Sequence, residues 1–380
     1  MMGLAVTGFS PQTRTGAARQ PFTWSPPCQG LVTDPRLPFQ PVEDARVPSR
    51  QRAPTIRDVA RHAGVSVATV SRVLNDIPVV RSEVRARVVD SIAELGYRPS
   101  STARSLSLGR SQAIGVVAPF FTTPSVVERV RGVAERAAAR GYDLMLFHVE
   151  TPEQRTAAFR DFARHDRVDG LLVISLRLMA EELAAMRRDR LPIVMVDSGQ
   201  AAVPHVVVDD VRGGQLAAEH LLARGHRRIA FIGDLPASPL GFTSSENRRR
   251  GFRLALLRAG ISSPASFEVR GLHDREDARR LAEALLRRDD RPTAVFAASD
   301  TQAIGVLEAA GACGLRVPED VAVIGFDDIE VAALLGLTTV RQPLRQSGAH
   351  GADLLVAAIE GHPPPAVELE ALRVMERRTA

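Results

Sequence analysis

Residues 55–106 read TIRDVARHAGVSVATVSRVLNDIPVVRSEVRARVVDSIAELGYRPSSTARSL, and this stretch decides the fold of the N-terminal part of the chain. Its first apolar residues, at positions 56, 59, 60 and 63, share one face of a helix. Thr55 and Asp58 have the spacing of an N-terminal cap, and Gly64 predicts the end of the helix because glycine readily adopts positive φ. The stretch therefore begins with a short, capped amphipathic helix.

A second and a third helix follow directly. Ser66 predicts the cap of the second helix, whose buried side is formed by Val70, Val73 and Leu74. Its exposed side is left with Val67, Ala68, Thr69, Ser71, Arg72 and Asn75. Ser82 opens a third helix with apolar residues at positions 84, 88, 92 and 95. Two helices joined by a tight turn form a helix-turn-helix, an arrangement typical of proteins that bind double-stranded DNA.

The basic charge of the chain is concentrated in the same region. Residues 51–110 contain ten Arg and five acidic residues, a net charge of +5 that equals the formal net charge of the whole chain. Such a local excess is expected where phosphates are bound with release of counterions. Arg72 has three open interpretations: a solvated charge, a phosphate contact or a bidentate contact to guanine.

The absence of lysine excludes several chemistries. All 49 residues of the Lys and Arg class are Arg, so the chain lacks the Lys that a P-loop, a pyridoxal enzyme and a protein kinase each require. Cys28 and Cys313 are far apart and predict neither a metal cluster nor a disulfide framework, as in a reducing cytoplasm. Four histidines of the body are isolated in sequence: His148, His205, His226 and His273. No run of eighteen apolar residues is present. We expect no catalytic residue, no metal, no cofactor and no membrane span.

The first 52 residues have a different composition. Nine Pro precede Thr55, and the segment shows no apolar periodicity and no continuous apolar region of a secretory signal. Two interpretations remain open: a disordered, Pro-rich extension, or a start codon assigned too far upstream, with Val47 as one candidate for the true start.

From Gln112 onward, strand-like apolar runs alternate with amphipathic helical ones, which predicts parallel sheets flanked by helices. The strand candidates are 113–119, 142–149, 170–175, 193–198, 228–234, 294–299 and 321–328. Roughly 270 residues exceed what one compact core usually reaches, so we predict an α/β body of two doubly wound lobes. Ligands of such folds bind beyond the carboxyl ends of the strands, which places the site in the cleft between the lobes.

Four charged residues are candidates for contacting a ligand there. Asp197, Asp300 and Asp327 end predicted strands, and Arg248 lies near the start of a helix. Carboxylates accept hydrogen bonds from hydroxyls and Arg donates a rigid fork, so the set suits a sugar or another polyhydroxylated ligand. Alternatives remain open: Asp300 as a helix cap, and Arg248 on a solvated face. The run 248–250 would instead favour an acidic or phosphorylated ligand.

The phrase DVARHAGVSVATVSRVLN (58–75), followed by LGYRPSSTARSL (95–106), resembles the lactose-repressor (LacI/GalR) family of bacterial transcription regulators. The resemblance extends from about Thr55 to about Ala358. It implies a helix-turn-helix DNA-binding domain at 53–98 and a hinge helix or linker at 99–110. The body at 111–380 is then a periplasmic-binding-protein type I fold that senses an effector and dimerises.

The resemblance also implies roles for individual residues. Leu106 matches the apolar wedge that opens a base step in the minor groove, with Ala103 at the dimer contact and Arg104 near phosphate. Val67 and Ala68 match the positions that select the half-site. The full set of implied DNA-binding residues is Thr55, Ser66, Val67, Ala68, Thr69, Ser71, Arg72, Asn75, Tyr97, Ala103, Arg104 and Leu106.

For the effector, the resemblance implies that Arg248 and Asp327 grip the ligand and that Asp197 and Asp300 make secondary contacts. Ser125 lies where many relatives carry an aromatic residue, and the loop 271–275 lacks one as well. Phe120 and Phe121 have two interpretations, as substitutes for that aromatic or as core residues.

The function expected from these features is sequence-specific transcriptional regulation, by default repression. A homodimer would bind a pseudo-palindromic operator, and a small-molecule effector would switch its affinity. The C-terminal VMERRTA carries no heptad extension, which favours a dimer over a tetramer. We expect the protein in the cytoplasm, associated with the nucleoid. The alternatives are a two-lobed solute-binding protein or enzyme, or a regulator controlled by a partner protein.

Overall fold

The computed structural model describes residues 54–74, 77–97, 110–162, 167–201, 203–236, 240–262, 264–362, 365–369 and 372–380. The chain divides into two compact units, Met1–Arg98 and Pro99–Ala380. Several predictions fall outside the described residues: the extension 1–52, most of the linker, Asn75, Ala103, Arg104 and Leu106.

The first unit contains the three predicted helices, which are α1 (Ile56–Ala63), α2 (Val67–Leu74) and α3 (Ser82–Leu95). The cap of α1 forms as predicted, since the Thr55 N–H and hydroxyl both donate to Asp58 Oδ2, at 2.9 and 2.6 Å. Gly64 ends the helix with φ of 64°. Ser66 Oγ accepts from the Thr69 N–H at the start of α2. One face of each helix packs into a small core built on Val59, Ala60, Ala63, Val70, Val73, Val88 and Tyr97.

The second unit contains strands and helices in alternation. In chain order they are β1 (Ala113–Pro119), α4 (Pro124–Ala139), β2 (Asp143–Val149), α5 (Pro152–Phe162), β3 (Gly170–Ile174), α6 (Ala180–Arg188), β4 (Ile193–Val196), β5 (His205–Val207), α7 (Asp210–Ala223), β6 (Ile229–Asp234), α8 (Ser244–Arg258), β7 (Glu268–Gly271), α9 (Arg275–Leu286), β8 (Ala294–Ala297), α10 (Asp300–Ala312), β9 (Ala322–Asp327), α11 (Glu330–Leu335), β10 (Thr338–Arg341), α12 (Leu344–Ile359), β11 (Val367–Glu368) and β12 (Arg373–Met375). Among the described residues, no helix is long and apolar enough to cross a bilayer.

The strands form two six-stranded sheets, one for each predicted lobe. The sheet of lobe 1 has the order β11-β5-β4-β3-β1-β2, and that of lobe 2 has the order β12-β10-β9-β8-β6-β7. The pairs within them are parallel except that β12 runs antiparallel to β10. The chain passes between the lobes after β5, after β10 and after β11. This is the doubly wound architecture that the sequence predicted.

All seven predicted strands are present, with bounds that differ by two residues at most. Five further strands were not predicted: β5, β7, β10, β11 and β12. They contain two to four residues each, which is too short for an apolar pattern to stand out.

Glycines bring two pairs of helices into close contact, one pair in each lobe. A Cβ at Gly348 of α12 would lie 1.9 Å from the carbonyl oxygen of Arg129 in α4. A Cβ at Gly214 of α7 would lie 1.9 Å from the carbonyl oxygen of Arg248 in α8. Only glycine permits backbones to approach so closely. The two crossings therefore fix the positions of Arg129 and Arg248.

We predict that Gly214→Ala lowers the free energy of unfolding by about 1–3 kcal/mol, because the added methyl group has no room against the Arg248 carbonyl. The matched control is Gly311→Ala in α10, where no atom lies within 4 Å of the added Cβ. This control should be neutral or stabilising by up to about 1 kcal/mol. Urea unfolding of the two variants measures both effects, and equal midpoints would contradict the proposed crossing.

Candidate functional site

A narrow cleft lies at the carboxyl ends of the strands of both sheets, with a cavity volume of about 60 Å³. Lobe 1 contributes Pro119, Phe120, Thr123, Ser125, Val126, Arg129, Ser175 and Asp197. Lobe 2 contributes Asp234, Phe242, Ser244, Ser245, Arg248, His273, Ala298 and Asp327. Gln342, on the crossover that follows β10, completes the lining. The position is the one that doubly wound sheets predict for a ligand.

Lobe 1 supplies a buried cation, Arg129, which is 2% exposed. Its Nη2 forms an ion pair with Asp197 and donates to Gln342 Oε1 at 2.9 Å. Asp197 also accepts from the hydroxyl of Ser175 at 2.7 Å. The Nε–H of Arg129 is buried, and no hydrogen-bond partner for it lies within the described part of the chain.

Lobe 2 supplies a second buried cation, Arg248, which is 5% exposed. Its Nε donates to Asp210 Oδ1 at 2.8 Å and its Nη1 donates to the Ala298 carbonyl at 2.7 Å. Asp327 Oδ1 lies 3.8 Å from Nη1, and the guanidinium lies 3.7 Å from the centre of the Phe326 ring. These partners hold Arg248 at the edge of the sheet.

Gln342 joins the two charged clusters. Its side-chain oxygen accepts from Arg129 of lobe 1, and its Nε2 donates to Asp327 Oδ1 of lobe 2 at 2.5 Å. A residue between the lobes thus connects the lobe 1 cation with the lobe 2 carboxylate.

A third pair is formed by His273 and Asp234, whose Nδ1 and Oδ1 lie 2.9 Å apart. Gln302 Nε2 donates to the same carboxylate at 3.0 Å. Burial alone would lower the pKa of His273, but the charge and hydrogen bond of Asp234 outweigh it and raise the pKa. Burial of Asp234 acts to raise its pKa, yet the pairing with His273 prevails and lowers it. The pair is therefore ionised over a widened pH range.

Two other carboxylates are shifted in the opposite direction. Burial raises the pKa of Asp210 to about 6, although Arg248 acts against it. Burial likewise raises the pKa of Asp327, against the charges of Arg248 and Arg129. Asp327 in the cleft and Asp210 behind Arg248 therefore accept a proton more readily than carboxylates in water.

The backbone at the cleft is unusual as well. Four lining residues other than glycine adopt positive φ: Phe120 at 43°, Ser175 at 58°, Asp197 at 65° and Asp327 at 119°. Each ends or directly follows a strand, where the turn points its side chain toward the cleft.

Four of the five predicted effector residues line this cleft: Ser125, Asp197, Arg248 and Asp327. The solvated interpretation of Arg248 is wrong, because its side chain is buried. Their contact with a ligand stays a prediction.

The prediction for Asp300 requires correction, because this residue is fully buried and absent from the cleft lining. It accepts from the Thr339 hydroxyl at 2.6 Å and from the Ile329 N–H at 3.0 Å. Burial raises its pKa well above the usual value. The cap of α10 is Ser299, which accepts from the Gln302 N–H, so the alternative interpretation of Asp300 as the cap is also wrong. Asp300 stabilises the packing of lobe 2.

The sequence did not point to several lining residues: Arg129, Ser175, Asp234, Phe242, His273 and Gln342. His273 is isolated in sequence but lies beside Asp234 in the fold. Arg129 carries one signal in retrospect, since it precedes Gly132 by three residues, as Arg248 precedes Gly251. Phe120 lines the cleft and also packs on the core of lobe 1, whereas Phe121 is absent from the lining.

On the first unit, the predicted DNA-binding side of α2 is accessible. Ser66, Val67, Ala68 and Arg72 are exposed, while Thr55, Thr69 and Ser71 are half-buried. Tyr97 is only 7% exposed and packs in the small core of this unit. Its packing accounts for its burial, and its contact with DNA stays a prediction.

Within the described part of the chain, no group of three or more His, Cys, Asp or Glu side chains is placed to hold a metal ion.

Known proteins resemble both units. Residues 55–100 match the family described as bacterial regulatory proteins, lacI family, and residues 218–380 match a periplasmic binding protein-like domain. The ribose operon repressor of Escherichia coli (strain K12) is 38% identical over 310 residues, which are 80% of this chain and 93% of that protein. A solved lac repressor dimer bound to operator and the anti-inducer ONPF is 29% identical with a TM-score of 0.76, covering 86% of this chain and 99% of that one. The transcriptional regulator CelR in complex with cellobiose is 31% identical with a TM-score of 0.65, covering 86% of this chain and 100% of that one.

The pair of His273 and Asp234 predicts a pH dependence. Because its pKa is raised on folding, His273 stabilises the fold fully below its unfolded pKa of 6.5, and this contribution is lost as the pH rises through the folded value. We therefore expect the stability advantage of the wild type over His273→Gln to be largest below pH 6.5 and to shrink as the pH rises above that value. The raised pKa of Asp210 affects both proteins equally and cancels in the comparison. Denaturant unfolding below and above pH 6.5 measures it, and a constant difference would contradict the pairing.

Proposed function

This chain belongs to the lacI family of bacterial regulatory proteins, and from that premise we propose how each of its two units works. It is a DNA-binding transcriptional repressor, not an enzyme, and it acts on operator DNA as a dimer under the control of a small molecule. The effector that we propose is a neutral sugar or sugar derivative, bound in the cleft between the lobes. The residues proposed to contact it include Ser125, Asp197, Arg248 and Asp327.

The charge balance of the cleft is the observation that carries this choice of effector. Each of the lining cations lies against a carboxylate: Arg129 with Asp197, Arg248 with Asp210, and His273 with Asp234. Their charge is thus already compensated by the protein. A phosphate or carboxylate ligand would add a negative charge that no uncompensated lining cation would offset.

Arg249 and Arg250, which follow Arg248 in the sequence, do not add an uncompensated positive charge to the cleft lining. Arg249 forms ion pairs with Glu246 and Glu268, and neither Arg249 nor Arg250 is part of the cleft lining. Hydroxyl groups, in contrast, donate to carboxylates and accept from guanidinium groups, so a polyol is compatible with every pair. The similarity to a ribose operon repressor and to a cellobiose-bound regulator supports the same class.

We propose the domain division 53–98 for the DNA-binding unit, 99–110 for the linker and 111–380 for the effector-binding body. In a symmetric dimer the exposed side of α2 would enter the major groove of each half-site. Val67 and Ala68 have no side-chain donor, so they would select bases by apolar contact, for example with a thymine methyl group. The roles of Asn75, Ala103, Arg104 and Leu106 remain predictions from the family resemblance. We place the protein in the cytoplasm, where its operator lies.

The switch that we propose is a shift between two arrangements of the lobes. A ligand that contacts Arg129 and Asp197 in lobe 1 together with Arg248 and Asp327 in lobe 2 binds best when the lobes are close. Gln342 hydrogen-bonds to one residue of each lobe, so a movement of one lobe relative to the other would alter these two hydrogen bonds. The coupling of this movement to the linkers of the dimer would change the affinity for the operator.

We predict that Arg72→Ala weakens binding to an operator selected from random duplex DNA by about 10-fold or more, since it removes an exposed cation from α2. The matched control is Arg316→Ala, an exposed Arg in an ion pair with Asp320 in lobe 2, which should bind the same DNA normally. Fluorescence anisotropy at fixed salt measures both affinities. Equal loss, or no loss, would contradict the placement of the DNA-binding surface on α2.

We predict that a neutral sugar raises the melting temperature of the wild type and that Asp327→Asn removes this shift. The panel contains D-ribose, D-xylose, D-glucose, cellobiose and the 5-phosphate of ribose. Asp328→Asn is the matched control, because Asp328 pairs with Arg341 and Arg377 outside the cleft lining. It should respond like the wild type. A response to the phosphate alone would contradict the choice of a neutral effector.

A further inference from the structure

The segment Leu240–Phe242 belongs to lobe 2 by chain order but packs on lobe 1. It lies between β6 and α8, which are both elements of lobe 2. Leu240 is nevertheless 2% exposed and forms part of the apolar core of lobe 1, together with Val149 and Phe159. Phe242 packs against the same core. This contact between the lobes is additional to the three crossovers of the chain.

A buried arginine of lobe 1 holds the segment in place. Arg155 of α5 is 2% exposed, and its Nη1 donates to the Leu240 carbonyl at 2.8 Å. Its charge is balanced by Glu182, which accepts from Nε at 2.8 Å and from Nη2 at 2.7 Å. A guanidinium fixed by a bidentate carboxylate is a rigid donor, because its orientation is determined before it contacts the segment.

The same segment brings an aromatic ring to the cleft. Phe242 lines the cleft, and its ring centre lies 6.0 Å from that of Phe120 at an interplanar angle of 44°. Two rings thus form an apolar wall beside the paired charges of the cleft. The sequence showed no aromatic residue in the loop 271–275 for contact with a ligand ring. Phe242 supplies such a surface from a different segment.

We propose that Phe242 is a ligand-contacting residue that selects effectors with an apolar ring face, and that Arg155 and Leu240 are the residues that position it. This inference rests on the proposed function, since it specifies the chemistry of the same effector. A sugar ring presents C–H groups on one face and hydroxyls at its edge, which match the aromatic wall and the paired charges respectively. A linear polyol lacks that face and should bind more weakly.

The anchoring also has a mechanical consequence. Because Leu240 packs in the lobe 1 core and accepts a hydrogen bond from Arg155, the segment would remain on lobe 1 during a movement of lobe 2 unless these contacts break. Phe120 and Phe242 are therefore both held against lobe 1, so the wall does not depend on closure of the lobes.

The first test concerns the anchor and needs no ligand. Hydrogen exchange of the full chain, read by mass spectrometry, compares the wild type with Leu240→Ser and with the control Leu257→Ser, a 74% exposed leucine of α8. Leu240→Ser should accelerate exchange of the amides around 240–243 by about 10-fold or more, and Leu257→Ser should leave them unchanged. Unprotected amides in the wild type, or no acceleration in Leu240→Ser, would overturn the anchor.

The second test concerns the wall and uses the sugars D-ribose, D-xylose, D-glucose and cellobiose, with ribitol as the linear polyol. Phe242→Ala should lose about 10-fold or more in affinity for any of these sugars that stabilises the wild type. The control Phe121→Ala, which removes a ring outside the cleft lining, should stay within about 2-fold. Phe242→Tyr, which keeps the ring, should retain binding.

The outcomes separate this inference from the function on which it rests. Undiminished sugar binding by Phe242→Ala would contradict the proposed role of Phe242, and so would ribitol binding as tight as that of the sugar. Neither result would contradict the proposal that the effector is a sugar. A wild type that responds to none of these compounds overturns the sugar effector and the wall together. The anchor is decided in either case by hydrogen exchange.

Discussion

The cleft depends on one electrostatic constraint, the need to compensate two guanidinium charges that the fold removes from water. Arg129 and Arg248 are 2% and 5% exposed, and a cation at such depth is tolerated only when carboxylates and hydrogen-bond acceptors surround it. Asp197, Asp210 and Asp327 meet this need from the ends of strands and the start of a helix. The charged groups of both lobes therefore form one network, with Gln342 between its halves.

The two lobes meet this constraint in the same way. Each places an arginine three residues before a glycine, on a helix that crosses a second helix at glycine contacts. The close approach of the two helix backbones positions the arginine at the edge of the cleft. The functional groups of the cleft are thus determined by backbone packing that lies outside it.

The sequence predicted those features that are carried by long or local patterns. The seven strands with continuous apolar runs were found, as were the three helices of the DNA-binding unit with the Thr55 and Ser66 caps. The five short strands were missed because two to four residues carry no pattern. Arg129 was missed because α4 contains other arginines on its exposed face, and only packing distinguishes the buried one. His273 and Asp234 lie 39 positions apart, so their pairing is a property of the fold. Asp300 was misassigned because the end of a strand indicates proximity to the cleft but not the direction of the side chain.

Four residues at the edge of the cleft adopt positive φ, and this conformation sets the side chains of the cleft against the stability of the body. Phe120, Ser175, Asp197 and Asp327 each hold a conformation that L-residues avoid, at a cost of about 1–3 kcal/mol per residue. Glycine at these positions would relieve the strain but would remove the side chains that form the cleft. A lineage that stopped responding to an effector would gain a more stable body by losing them. The strained residues therefore mark positions at which the fold retains cleft side chains at a cost in stability.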